Sequence, residues 1–429
     1  MKLERFGVVA ISLGLLIASS NVLSGTISKQ QFSLGYPSVV CPPTLSGLSS
    51  QVSMASRSTN IYKVGSTSNK FVKSRALRIP ITGSPILVDA QGATPIVWQS
   101  RQGSWAGGAI CSSPSASQWF VGGSADITSR GKLLLVNSGL SESVADVYLW
   151  SGTSPATSKV VSVNANSYAA IGIDSLAPGE SSVVIRVVSR SGRLNAFVVD
   201  ERGKGLRTLG GDLVNPGVAP SKEIVIPAIP LQKRVNNAPA QQLRLLVPGD
   251  ADANVSVEVF SGDGRFTPVG FDALTVKKGQ VMNFPLSPSV KSSVYGIRIT
   301  SDEPVVAGVY ATVGRDFVWS STVPALTPFT LAISGLNPLL AFVGDNINVE
   351  VEMSLANGKK VRKSIRGNDI ALWRVSSNVR NLTFTRVSAN TYASALQASV
   401  NGYGSIPLYA GSVLTKSAIP TANIRVLNP

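Results

Sequence analysis

Over Val255–Val259 and again over Ile347–Leu355 the chain alternates strictly between apolar and polar residues. Val255, Val257 and Val259 enclose Ser256 and Glu258. Ile347, Val349, Val351, Met353 and Leu355 enclose Asn348, Glu350, Glu352 and Ser354. A period of two sends one set to a buried face and the other to water, as in antiparallel strands with one wet side. Turn residues punctuate these runs at Asp263-Gly264, Asn357-Gly358, Asn401-Gly402 and Ser301-Asp302-Glu303-Pro304.

The pattern recurs along the chain. LRLLVPGD (from Leu243) with VYGIRITSDEPVVAGVYA (from Val294) is preceded by KLLLVNSG (from Lys132) with SVVIRVVSRSGRLNAFVVDE (from Ser182). It is followed by LLAFVGD (from Leu339) with INVEVEMSLANG (from Ile347). Setting Val136, Val247 and Val343 as equivalent gives offsets of 111 and 96 residues, a threefold repeat of one β unit. Units of this length with short strands predict an all-β chain of tandem immunoglobulin-like β-sandwich repeats. A β-propeller-like array is the alternative, each unit then being two four-stranded blades. The expected divisions are 1–25, an export segment; 26–115, an N-terminal β region; and repeats at 116–220, 221–330 and 331–429.

One hairpin can be read residue by residue. A two-residue turn at Asn357-Gly358 would set Arg362 opposite Met353, putting charge on the apolar face. A three-residue loop, Asn357-Gly358-Lys359, instead places Val361 opposite Leu355, Ile365 opposite Val351 and Arg366 opposite Glu350. Because a slip of one residue inverts every side chain, the longer loop with a left-handed residue near Gly358 is expected. Lys360, Arg362 and Arg366 then share the wet face with Glu350 and Glu352. They are either a cross-strand ionic ladder or, with Lys359, a contact site for an anionic surface.

Composition narrows the chemistry. The 429 residues include no histidine, which removes the commonest general base and the commonest zinc ligand. Asp200-Glu201 and Asp302-Glu303 are adjacent acidic pairs, but neighbours on a strand face opposite ways, so neither makes a paired-carboxylate site. No cofactor-binding or metal-binding motif is found. Among six tryptophans, Trp105 in GSWAGG is the candidate for an exposed ring that could stack on a sugar.

Lys2 and Arg5 precede an apolar core at Gly7–Ala18, with small residues at Ala18 and Ser20 or Val22 and Ser24: a secretory signal, or an uncleaved anchor through residues 7–23. The two cysteines, Cys41 and Cys111, fit export, where an even pair is most simply one disulfide. The formal net charge of +16 is uneven. Residues 21–115 carry 8 basic against 1 acidic residue and residues 339–429 carry 10 against 4, whereas 116–338 carry 19 against 17. Basic ends on an exported chain point to anionic cell-wall polymer or a membrane surface and to other envelope proteins, nucleic acid not being expected; the alternative is a charge that serves solubility alone.

The runs CSSPSASQWFVGG (Cys111–Gly123), LLLVNSG, GRLNAFVVDERG (Gly192–Gly203) and SDEPVVAGVYA (Ser301–Ala311) resemble an uncharacterised family of secreted actinobacterial proteins, a domain of unknown function. The resemblance runs from about Cys111 to Pro324, and Asn137-Ser138 stands where Asn-Pro is expected. It implies an envelope or extracellular location and a noncatalytic β architecture, and it carries no catalytic residues. The functional expectation is an exported noncatalytic envelope protein, a binding or scaffolding array at the cell surface. The alternative is a carbohydrate-binding or carboxylate-dependent glycan-processing protein.

Overall fold

Period two becomes structure most clearly at Ser117–Val214. In the computed structural model, which describes residues 32–35, 38–67, 70–102, 104–205, 207–232, 240–412 and 417–420, this stretch forms eight strands. They are Ser117–Val121, Lys132–Asn137, Ser143–Ser151, Thr157–Val163, Ser167–Gly172, Val183–Ser189, Leu194–Lys204 and Arg207–Val214. One sheet runs first, sixth, third, fourth; the other runs fifth, second, seventh, eighth. Both turn their apolar faces onto one core that includes Phe120, Leu133, Leu135, Val147 and Ile185. Each unit is therefore two facing sheets, a sandwich rather than a propeller blade.

The same strand order occurs four times. The unit at 221–321 has it with its sixth and seventh strands fused into the 20-residue strand Val294–Val313, whose first half pairs in one sheet and second half in the other. The unit at 330–407 fuses its second with its third strand, Leu339–Leu355, and its fourth with its fifth, Lys360–Arg374. A register shift between Gly344 and Ile347 marks where that hairpin passes from one sheet to the other. Val136, Val247 and Val343 fall in or directly after corresponding second strands.

The remaining copy, first in the chain, is the one the sequence pattern did not expose. Residues 39–110 form eight strands in the same two orders, with Val39, Cys41, Val52, Ile79, Val88 and Val97 among the core residues. Three of its strands, Val39–Cys41, Val72–Ser74 and Arg78–Pro80, are only three residues long. Alternation needs more residues than that to register, so this copy reads in sequence as irregular Ser- and Gly-rich chain. Cys41 and Cys111 are disulfide-bonded, 70 residues apart. The bond ties the first strand of this copy to the segment leaving its last.

The last strands of the four units, Trp105–Ile110, Arg207–Val214, Asp316–Ser321 and Tyr403–Pro407, touch in a closed circuit, each meeting the next and the fourth meeting the first. In addition Thr330–Ala332 of the fourth unit pairs in parallel with Ala93–Pro95 of the first. Gly211 shows what this convergence demands. A Cβ there would stand 2.7 Å from the Trp105 ring, so only glycine lets the strands approach.

By its contacts the chain divides into two bodies: Pro37–Val413, which holds all four units, and Met1–Tyr36 with Leu414–Pro429. Of the second body only one antiparallel pair is described, Phe32–Gly35 with Ser417–Pro420. Residues 1–25, where a secretory signal or anchor is expected, lie outside the described residues.

Candidate functional site

The expected site residues are placed as follows. Trp105 is not an exposed platform: it is 2% exposed, because the strand it opens belongs to the central circuit and the Gly211 backbone lies against its ring. In the hairpin the loop is three residues long, as the parity of the apolar face requires, but it sits one residue earlier, at Ala356-Asn357-Gly358. Leu355 bonds the Lys359 carbonyl, and Gly358 has a φ of +84°. Val361 therefore opposes Met353, Ile365 opposes Val349, and Arg366 opposes Asn348 rather than Glu350. A displacement of two in register leaves every face unchanged.

On the wet face Lys360 meets Glu352 at 2.7 Å and Arg362 approaches the same carboxylate at 3.8 Å. The hydrogen bond from Lys360 holds the Glu352 carboxyl below its ordinary range. Glu350 is approached by Arg386 at 3.8 Å, from the neighbouring strand. Arg366 lines a shallow hollow with Asn346, Asn348 and Asn368, and Lys359 stands exposed at the hairpin tip. So Lys360 pairs in the ladder, while Lys359 and Arg366 make no ion pair among the described residues.

The buried charges lie elsewhere, where the second and third units meet. Arg244 sits in LRLL on the second strand of the third unit and is 3% exposed. Its Nη1 donates to the carbonyls of Gly123 (2.7 Å) and Val183 (3.0 Å), its Nη2 to Ser182 Oγ (3.2 Å) and its Nε to Asn283 Oδ1 (3.0 Å). Its guanidinium also lies 4.6 Å over the Trp319 ring. Burial, with the nearby charge of Arg202, lowers it to about 9, so it remains a cation at neutral pH.

Arg202 comes from the seventh strand of the second unit. It pairs with Asp200 at 3.2 Å and covers the rings of Tyr310 (5.2 Å) and Phe317 (4.9 Å). Asp200 in turn accepts Trp319 Nε1 at 2.9 Å, while Glu201 points the other way to Arg101 at 2.7 Å. The acidic pair splits across the strand as its adjacency dictates.

These groups border a cleft of ≈ 260 Å³ whose walls include Asp126, Ser182, Arg202, Arg244, Asn283 and Tyr310. Burial pushes the Asp126 carboxyl up. Hydrogen bonds from Thr128 and Ser124, with the charge of Arg202, outweigh it and leave the group below its ordinary value. The charged walls are thus two guanidiniums and one carboxylate, all ionised at neutral pH. They can hold and orient an ionic ligand. A second hollow of ≈ 410 Å³, bordered by Ser112, Pro114, Gln118, Pro216, Tyr409 and Gly411, is formed where the linkers between units gather, and its walls are uncharged.

Asp316 and Asp212 tie the units behind this cleft. Asp316 accepts the amides of Gly211 and Phe317 at 2.9 Å each and of Ala106 at 3.3 Å, one from each of three units. Asp212 accepts Leu213 (2.9 Å) and Trp319 (2.7 Å). Burial raises both carboxyls, Asp316 to about 7, against the amides that pull them down.

Sequence reasoning passed over Arg202, Arg244, Asp212 and Asp316. The signal was present: each interrupts or abuts an apolar run, in LRLLV, LGGDLV, GRDFVW and VVDERG, in strands buried on both faces. A charge inside such a run must find a partner in the core.

A chain of two-sheet units closed on a buried polar centre, with an arginine-walled cleft between two of them, is a tandem β-sandwich protein. The chain belongs to a family of unknown function (DUF5719), whose model matches residues 88–361. That span takes in the cleft, the polar centre and most of the hairpin. No curated protein matches the chain.

Proposed function

We propose that this is an exported noncatalytic envelope protein, a rigid binding or scaffolding array. The observation that carries the reading is the cleft between the second and third units. Its charged walls are arginines and a carboxylate held ionised, groups suited to holding a charged ligand and poorly poised to pass protons near neutral pH. Export is supported by the Cys41–Cys111 bond, since structural disulfides persist in oxidising compartments. It is supported further by the charged and apolar start of the chain. Lys359 and Arg366, unneutralised by Glu352, offer a route to anionic wall polymer or membrane surface.

The test is fractionation of the producing cells with non-reducing peptide mapping. The expected result is protein in the envelope or medium with the Cys41 and Cys111 peptides linked, sedimenting with envelope material. Protein confined to the cytoplasm with both thiols free overturns the proposal.

A further inference from the structure

We propose that the cleft between the second and third units is a binding site for a small monocarboxylate that also carries hydrogen-bond donors, as sugar acids and amino acids do. The inference rests on the binding function proposed above and gives its ligand chemistry. It begins with Arg244. A buried guanidinium normally has a carboxylate in contact, because taking the ion out of water costs several kcal/mol. Here four N–H groups of Arg244 are spent on two backbone carbonyls, a serine hydroxyl and an asparagine oxygen, and none of these is charged. One Nη2–H is left over, beside the cleft that Arg244 helps to line.

Arg202 is the second guanidinium in the wall of this cleft. Its Nη2 bonds Asp200 and its Nε is buried out of reach, which leaves Nη1, for which the described residues hold no hydrogen-bond partner. Tyr310 and Phe317 pack their rings against this guanidinium, which restricts its motion. Planar, preorganised guanidiniums are the groups that take a carboxylate with two parallel hydrogen bonds.

The acidic neighbours set the ligand's charge. Two guanidiniums stand against Asp126 in the wall and Asp200 behind Arg202, so the walls have no surplus to neutralise a dianion such as a phosphate monoester. A single carboxylate can lie toward Arg244 and Arg202 if the rest of the ligand offers a donor to Asp126. Hydroxyls or an ammonium group do this. The volume of ≈ 260 Å³ is slightly below the roughly 300–1,000 Å³ of drug-sized pockets, the right scale for one sugar ring or one amino acid. Ser182 and Asn283 supply neutral polar contacts for such a body.

The experiment is titration calorimetry of the full chain with four probes: glucuronate, glutamine, glucose and inorganic phosphate. Saturable millimolar or tighter binding of glucuronate or of glutamine is expected, and which of the two binds separates a sugar acid from an amino acid. Glucose and phosphate should bind at least about tenfold more weakly. Arg202→Gln should weaken the bound carboxylate by about ten- to a hundredfold, the loss of one charge-assisted pair. Its melting curve is recorded alongside to show that it folds. Asp126→Asn, which removes the negative wall, should raise phosphate affinity. Either carboxylate binding unchanged in a folded Arg202→Gln protein, or phosphate preferred by the natural chain, overturns the proposal, as does the absence of binding by both carboxylates. None of these results bears on export, which fractionation reads separately.

Discussion

Asp316 accepts the backbone amide of Ala106 at 3.3 Å, across 210 residues of chain. With the amides of Gly211 and Phe317 on its other oxygen, one carboxyl joins the last strands of three units. Burial raises this carboxyl from 3.8 to about 7. A group raised on folding contributes stability that is fully present below its unfolded value and lost as pH rises through its folded value. The melting temperature should therefore fall as pH climbs from about 4 through about 7, and Asp212 adds to the same trend. Melting curves across that range check it. In Asp316→Asn the slope should flatten, whatever the offset in stability.

Truncating Asp316 to Ala should be worse than removing its charge. Three buried amides would lose their acceptor, each at about 1–3 kcal/mol. Denaturant titration should show a loss of several kcal/mol, with the unit cores at Val349 or Ile299 intact in sequence. A midpoint equal to that of the natural chain would show that the central circuit does not depend on this carboxyl.

Cys41→Ser with Cys111→Ser should destabilise the first unit. The bond spans 70 residues, for which loop-closure entropy gives about 4 kcal/mol. Chemical denaturation with and without reductant should show the natural chain falling to the level of the double variant, which itself ignores reductant.

Ile299→Ala should cost about 2–4 kcal/mol, because the side chain is fully buried in the core of the third unit. Val361→Ala, 41% exposed on the hairpin's edge strand, should leave the midpoint almost unmoved. The pair separates a fully buried position from an exposed one at the margin of an apolar face.

For the proposed contact with anionic surfaces, the hairpin offers a graded test. Lys359→Gln and Arg366→Gln should reduce cosedimentation with anionic vesicles at low salt. Lys360→Gln should have less effect, since Glu352 already neutralises that ammonium at 2.7 Å. All three effects should shrink at physiological salt, where screening acts over about 8 Å. Equal losses from all three would show that the Glu352 pair does not persist in solution.

How much of this was legible in the sequence depended on range. The faces of Ile297, Ile299, Val349 and Val351 follow from alternation, a property of adjacent residues, and all four are buried. The hairpin's loop length followed from parity, while its position, shifted by one, depended on which cross-strand partner Arg366 would find. The first unit escaped notice because three-residue strands hold too little periodicity. The polar centre escaped for a different reason. Asp316 finds acceptorless amides at Ala106 and Gly211, and Arg244 finds carbonyls at Gly123 and Val183, each more than 60 residues away. Such pairings exist only once separate units have come together.

The parallel pairing of Thr330–Ala332 with Ala93–Pro95 has a consequence for how such a protein can change over time. An open stack of repeats gains or loses copies freely, because each touches only its neighbours in sequence. Here the first copy and the last are neighbours too. Deleting one copy would leave a gap that three cannot span, and inserting one would prise apart the ladder that joins the ends. On this geometry the fold should tolerate substitution within a unit better than the gain or loss of a whole one.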